Sequence, residues 1–271
     1  MKQGSIRRGS RLAKGYIALV LLFMYLPIIA MVIYSFNQGK GGVWQGFTTN
    51  WYAKLFQNHQ VMDSLKVSLQ LAAYSCLCAA IIGTLGAIGM SRSYFVAKGV
   101  FDNLGTIPVM IPEIILALAY LAFFTRINMP MGMWAMVIAH TTFCIPYVYI
   151  NVRSRLAGLD PAIEDAARDL GANPLRVVLD ITLPLVAPAI LSGTLLAVAM
   201  SLDDVVISVF LSSPTVNPLP VRIFSMTKRG ITPDVNALCT LMLLMIFIIF
   251  GVASYVRGRQ AGAAQQEVSE K

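Results

Sequence analysis

The sequence predicts an all-α membrane protein with six transmembrane helices, and three observations carry that prediction. Hydrophobic residues make up 57% of the 271 positions and charged residues only 13%, against roughly 45–50% apolar and 25% charged in soluble domains. The apolar residues gather into runs of about 20, the length that crosses a hydrocarbon core. Lys and Arg are concentrated in alternate connections between those runs, the bias that orients membrane helices.

The runs lie at about 16–36, 65–90, 103–124, 133–151, 188–211 and 236–256. Lys2, Arg7, Arg8, Arg11 and Lys14 precede the first, and Tyr34-Ser35-Phe36-Asn37 follows it in place of a small-residue cleavage site. It therefore reads as a retained helix that enters with the N-terminus inside. The external loop after it carries Trp44, Trp51 and Tyr52, rings that suit an interfacial belt. Small residues at Gly83, Gly86, Ala87 and Gly89 in the second run, and at Ser192, Gly193 and Ala197 in the fifth, allow close helix approach.

With this orientation the connections bearing Arg92 and Lys98, then Arg153, Arg155, Arg168 and Arg176, are cytoplasmic. Arg222, Lys228 and Arg229, between the fifth and sixth runs, go against the bias. The chain divides into a basic cytoplasmic N-terminus (1–15), a six-helix transmembrane domain (16–256) and a polar cytoplasmic tail (257–271). The tail is rich in Ala, Gln and Glu without apolar periodicity and is expected to have little fixed structure.

Several function classes are excluded. A net charge of +8 raises the question of nucleic acid, but the basic residues flank membrane runs. The four cysteines (Cys76, Cys78, Cys144, Cys239) sit inside apolar runs with no Cys-x-x-Cys pair, and the chain has two histidines, so no metal site is expected. There is no Gly-x-x-x-x-Gly-Lys-Ser/Thr loop to cradle nucleotide phosphates and no His-Glu-x-x-His pair. The chain is expected to be no enzyme and to hold no cofactor.

The long connection between the fourth and fifth runs contains a short helix with both end signals. Asp160 can cap it, Pro161 suits its first turn, Glu164 and Asp165 sit near its N-terminal end and Gly171 suits its stop. A second helix can start at Asn173-Pro174 and run to Pro184. On the first, Ile163, Ala166, Ala167 and Leu170 share one face at i, i+3, i+4 and i+7. That stripe can pack on its own bundle or dock a cytosolic partner, and the pattern leaves both open.

The elements Asp165-Ala166-Ala167-x-x-x-Gly171 and Ile181-x-Leu183-Pro184 resemble the EAA loop of ABC-importer permeases, here spanning about 153–187. The family's usual Glu is Asp165, unless the neighbouring Glu164 takes the role. The resemblance covers nearly the whole chain. Trp44-Gln45-Gly46-Phe47-Thr48-x-x-Trp51-Tyr52, His140-x-Thr142-Phe143-Cys144 and Ser201-Leu202-Asp203-Asp204 are similar to the spermidine/putrescine permease subgroup.

The resemblance implies a type I importer permease-like bundle in the bacterial inner membrane, with both termini cytoplasmic. Its coupling helix, with Glu164, Asp165, Ala166, Ala167 and Gly171, fits a groove on an ATPase that binds the ATP. The implied partners are a second permease subunit, two copies of that ATPase, a periplasmic substrate-binding protein, the lipid bilayer and a polyamine, with no nucleic acid.

Asp203 and Asp204 in the fifth run and Glu113 in the third lie at membrane depth, where each Asp costs about 2.5–3.5 kcal/mol on insertion scales. Helix packing does not require them. They are reasonable in a wet cavity that meets a cationic ligand, and polyamines need spaced carboxylates with apolar or aromatic walls, such as Trp44 and Tyr120, for their methylenes. The plainer reading is that the Asp pair bonds backbone amides or Ser/Thr groups and shapes a helix break. Adjacent helical residues point about 100° apart, so at most one of the pair meets an ammonium directly, and Asp204 is preferred.

His140 can titrate, or can make a single helix-to-helix hydrogen bond. Two rival functions stand beside the polyamine permease: an importer permease for another small solute, and an ion-coupled carrier or channel, in which the carboxylates hold protons or cations.

Overall fold

The computed structural model describes residues 3–39, 42–93, 96–228, 230 and 232–269. Lys2 and Arg229, named above for their charge, lie outside the described residues, as does the end of the polar tail at 270–271. Among those described, the regular elements are helices, joined by turns and loops that contain two isolated bridges, Asn37 with Phe47 and Ser213 with Val216.

The long apolar runs become α1 (Gln3–Tyr34), α3 (His59–Arg92), α7 (Met133–Ala157), α10 (Leu183–Asp203) and α13 (Pro233–Ser269), with α2 (Asn50–Gln57) between the first two. Five segments are long and apolar enough to cross a membrane: Ala13–Tyr34, His59–Arg92, Met133–Ala157, Pro174–Asp203 and Pro233–Gly251. The third predicted run, 103–124, departs from a single helix. It is broken into α4 (Lys98–Leu104), α5 (Ile107–Met110) and α6 (Glu113–Arg126), because Pro108 and Pro112 donate no N–H and disfavour helix at the residue before them.

The fifth run also has other limits than predicted. After α8 (Ala162–Asp169), a turn of helix, α9 (Pro174–Arg176), widens into a π-helical turn (Val177–Thr182) and continues as α10. Asn173 caps it, Oδ1 accepting from Arg176 N at 2.8 Å. The second loop helix therefore does not stop at Pro184 but runs on into the span; the wider turn lies where Pro184 cannot donate to the preceding turn. At its other end α10 stops at Asp203, and a separate α11 (Val206–Leu211) follows before α12 (Leu219–Thr227) and α13. The tail is helical through Ser269, against the expectation of little structure, since Ala, Gln, Glu and Arg are strong helix formers.

The chain forms two compact units, one of residues 1–59 and 225–245 and the other of 60–224 and 246–271. In the first, the loop after α1 is organised by buried Asn37. Its Nδ2 donates to Val43 O at 2.9 Å and its Oδ1 accepts from Gln45 N at 2.9 Å. Trp51 Nε1 donates to Asn37 O at 2.9 Å, and Tyr52 shares a 2.6 Å hydrogen bond with Ser35 while packing on Phe36. Two of the three predicted belt rings thus brace the loop itself.

In the second unit α7 is the central helix, with Ala135, Met136, Ala139, Cys144, Val148 and Val152 fully buried, and α10 packs along it. Val148 is wedged between two glycines. A Cβ on Gly193 of α10 would lie 2.8 Å from Val148 Cα, and one on Gly83 of α3 would lie 3.0 Å from Val148 Cβ. Polar ties close the unit: Gly132 N donates to Leu211 O at 2.9 Å, Leu219 N to Ser68 Oγ at 2.8 Å, and Tyr149 Oη to Asp102 Oδ1 at 2.7 Å.

Candidate functional site

The site is built around the break between α10 and α11. Asp is a poor helix-interior residue and a strong N-cap, and the tandem pair splits these tendencies. Asp203 ends α10, while Asp204 takes an extended conformation with ψ 119°. The Asp204 carboxylate then turns back on α11: Oδ1 accepts from Ile207 N at 3.1 Å and Oδ2 from Ser208 N at 2.8 Å.

His140 of α7 fastens the break from the other side. Its Nε2 lies 3.3 Å from Asp204 Oδ2 and 3.2 Å from Ser208 Oγ, and its Nδ1 lies 2.9 Å from Ser201 Oγ. Ser201 Oγ reaches Ser75 Oγ of α3 at 3.5 Å, and Thr141 Oγ1 donates to Ser75 O at 3.4 Å. A buried polar seam therefore joins α3, α7, α10 and α11. Apolar packing alone leaves such groups costly, so the seam fixes one relative arrangement of the four helices.

This geometry reverses the preference within the Asp pair. Asp204 has a side chain only 1% exposed, with its oxygens satisfied by protein. Asp203, one position earlier, is exposed, and no described side chain pairs with it. Glu113 opens α6, which packs against α11; it too is exposed, and it lies within electrostatic reach of both Asp203 and Asp204. Tyr147 of α7 is half-buried, sits edge-on to Phe143 at 5.8 Å and lies near enough to Glu113 to feel its charge. No Lys or Arg occurs between residues 177 and 221 or between 127 and 152. Two open carboxylates beside an aromatic wall can bind an elongated cation.

Tyr120 is half-buried and stacks on Phe124 at 6.1 Å. Trp44 belongs to the first unit, where it is 45% exposed and edges onto Tyr34 at 6.3 Å. The sequence left His140 between titration and a single hydrogen bond, named Ser201 only as part of a motif and gave Ser208 no role. The available signal was the spacing of those serines, three before and four after Asp204, which would share one face of an unbroken helix; the break at Asp204 puts them on α10 and α11, and His140 joins them across it.

The loop helix α8 carries the second set of predicted residues. Asp160 Oδ1 accepts from Ala162 N at 3.0 Å. At the other end Gly171 has φ 87°, with Gly171 N donating to Arg168 O at 2.9 Å and Ala172 N to Ala167 O at 3.0 Å, the Schellman pattern. The two adjacent carboxylates diverge. Glu164 turns onto its own chain, contacting Arg92 and accepting from Thr182 Oγ1 at 2.8 Å, while Asp165 has a side chain 65% exposed and pairs only with Arg168 of its own helix at 2.8 Å. No residue of α8 is buried, Ala166 is exposed and Ala167 half-buried, and Leu170 beyond its end is 90% exposed. The apolar stripe is thus left open by its own bundle.

Comparison with known proteins follows the same lines. Residues 79–259 match the family of binding-protein-dependent transport system inner membrane components. The chain is 37% identical over 252 residues to the spermidine/putrescine transport system permease protein PotC of Escherichia coli strain K12, covering 93% of this chain and 95% of that one. It is 41% identical over 245 residues to the putrescine transport system permease protein PotI of the same strain, covering 88% and 87%. Its fold superposes with TM-score 0.76 and 16% identity, over 94% of this chain and 98% of the other, on a chain of a bacterial ABC transporter that imports the acidic polysaccharide alginate. That likeness shows the fold, a type I ABC importer permease bundle.

Proposed function

The chain belongs to the family of binding-protein-dependent transport system inner membrane components, and from that premise we propose that it is the permease of an ATP-driven importer that carries putrescine or spermidine across the inner membrane. The fold does not choose the cargo, since a bundle of this kind also serves an acidic polysaccharide. The observation that carries the choice is the pair Asp203 and Glu113, both open and unpaired among the described residues in a region without Lys or Arg. An anionic solute is repelled there, and a chain with spaced ammonium groups is held.

In this reading Asp203 and Glu113 meet the ammonium groups directly. Asp204 belongs to the same site but acts by holding the helix break, and Tyr147 of the same unit offers an aromatic face to the methylenes. The permease makes no covalent bond. A periplasmic binding protein delivers the polyamine to an outward-open path, and a second permease subunit completes that path. Two cytosolic ATPase subunits hydrolyse ATP, one of them engaging α8 through Asp165, Ala166 and Ala167, with Gly171 ending the helix and Glu164 anchoring it. Both termini lie on the ATPase side.

Uptake of labelled putrescine and spermidine tests this reading, in cells lacking other polyamine importers and supplied with this chain and its companion subunits. Uptake that Asp203→Asn abolishes, in a complex that still assembles, supports the carboxylate–ammonium site. An assembled, ATP-hydrolysing complex that takes up neither polyamine overturns the substrate. Transport that persists without the ATPase instead favours an ion-coupled carrier.

A further inference from the structure

α8 is held to the rest of its unit by polar contacts. None of its residues is buried, and a cavity of about 320 Å³ opens beneath it, lined by Ser91, Arg92, Leu156, Leu159, Ile163 and Glu164 among others. Chain continuity connects it to α7 on one side and, through α9, to the π-helical turn on the other. Among the described residues its polar link to α3 is made by Arg92, the last residue of that helix.

The Arg92 guanidinium contacts Glu164 Oε1 and, through the same Nη2, lies 2.5 Å from Thr182 Oγ1. Thr182 Oγ1 also lies 2.8 Å from Glu164 Oε1 and 3.2 Å from Val177 O. The other oxygen of Glu164 faces Arg168 at 3.5 Å. Three elements meet at this triangle: the end of α3, the loop helix, and the π-helical turn that feeds α10. Thr182 is fully buried, and the Arg92 and Glu164 side chains are about one quarter exposed or less, so the contacts are less screened than a surface pair.

We propose that Arg92 is a positioning residue for transport: through Glu164 and Thr182 it makes α3 and α10 move with α8 when the ATPase displaces that helix. The proposal rests on the reading of α8 as the ATPase-docking helix. A π-helical turn interrupts the α-helix between the loop and the span, and a side tie across it carries a push on α8 to α10 by a second route. The triangle makes that tie at the far end of the turn, and the same guanidinium recruits α3, which carries Ser75 of the polar seam.

The test uses the complete importer in proteoliposomes, with ATPase retention, ATP hydrolysis and putrescine uptake measured on the same preparation. Arg92→Gln is expected to retain the ATPase but to transport about fivefold or more less putrescine per ATP hydrolysed, the scale of a typical coupling energy. The reversed pair Arg92→Glu with Glu164→Arg is expected to recover part of that ratio, which a residue needed only for folding has no reason to do. A ratio unchanged in Arg92→Gln overturns the proposal. Should that variant fail to assemble, Thr182→Val removes one arm of the triangle: a lowered ratio supports the proposal and an unchanged one overturns it. A wild-type complex that retains no ATPase defeats the docking reading and this proposal with it, whereas an unchanged ratio in an assembled complex defeats this proposal alone.

Discussion

His140 and Asp204 face each other across the gap between α7 and the α10–α11 break, Nε2 to Oδ2 at 3.3 Å, with both side chains closed to solvent. The contact divides the work of two adjacent, chemically identical residues. Asp204 spends its lone pairs on His140 and two backbone amides, and Asp203 keeps its own free.

Asp203→Asn and Asp204→Asn are therefore expected to fail in different ways. Asp203 is exposed and has no side-chain partner among the described residues, so its Asn variant should melt with the wild type. A charge-assisted hydrogen bond is worth about 1.5–3 kcal/mol, which puts the rise in half-saturating polyamine concentration at roughly ten- to a hundredfold. Asp204→Asn should lose about 1–3 kcal/mol of stability from a buried acceptor site. Thermal melting of the purified complex, read beside uptake, separates the two.

Removing the ring at His140 takes a partner from three buried groups at once: Ser201 Oγ, Ser208 Oγ and the Asp204 carboxylate, which keeps its two backbone amides. His140→Leu should destabilise the protein by about 1–3 kcal/mol, the cost of leaving buried polar groups short of a hydrogen-bond partner. His140→Leu combined with Asp204→Asn should cost less than the sum of the single changes, with a coupling on the order of 0.5–3 kcal/mol. Additive losses in a double-mutant cycle would show that the pair does not interact.

The asymmetry of the Asp pair was not legible in the sequence. Which of two neighbours turns inward is decided by His140, on a helix that precedes them by more than sixty positions and meets them only in the folded bundle. The caps of α8 were legible, because Asp160, Gly171 and the stripe between them act within a few residues of each other. The broken third run was half legible: Pro108 and Pro112 signal a disturbance, but whether it is a kink or a break depends on the packing around it. At Pro184 a local stop signal was overruled by a π-helical turn, which lets one helix run from the loop into the membrane.

The wedge at Val148 predicts intolerance at the two glycines that grip it. A Cβ at Gly193 meets backbone, 2.8 Å from Val148 Cα and 3.0 Å from Tyr147 O, and one at Gly83 lies 3.1 Å from Ile145 O. Backbone cannot rotate aside as a side chain can, so Gly193→Ala and Gly83→Ala should each cost about 1–3 kcal/mol through overpacking. Gly89, with nothing within 4 Å of a new Cβ, is the internal control: Gly89→Ala should melt at or slightly above the wild-type temperature, since Ala is the better helix former by about 1 kcal/mol.

Leu170 is 90% exposed and Ile163 45% exposed, although both fall on the apolar stripe of the loop helix. Neither contributes much burial to the fold, so Leu170→Ser should leave the melting temperature of the isolated chain unchanged. If the stripe docks the ATPase, that leucine becomes covered in the complex, and covering a Leu side chain is worth about 1.5–3 kcal/mol. Leu170→Ser should then weaken ATPase binding by roughly ten- to a hundredfold, measured by titrating labelled ATPase onto permease reconstituted in nanodiscs. Unchanged binding with unchanged melting would mean that the stripe lies outside the contact, and the docking face would have to be sought on the Asp165 and Arg168 side of the same helix.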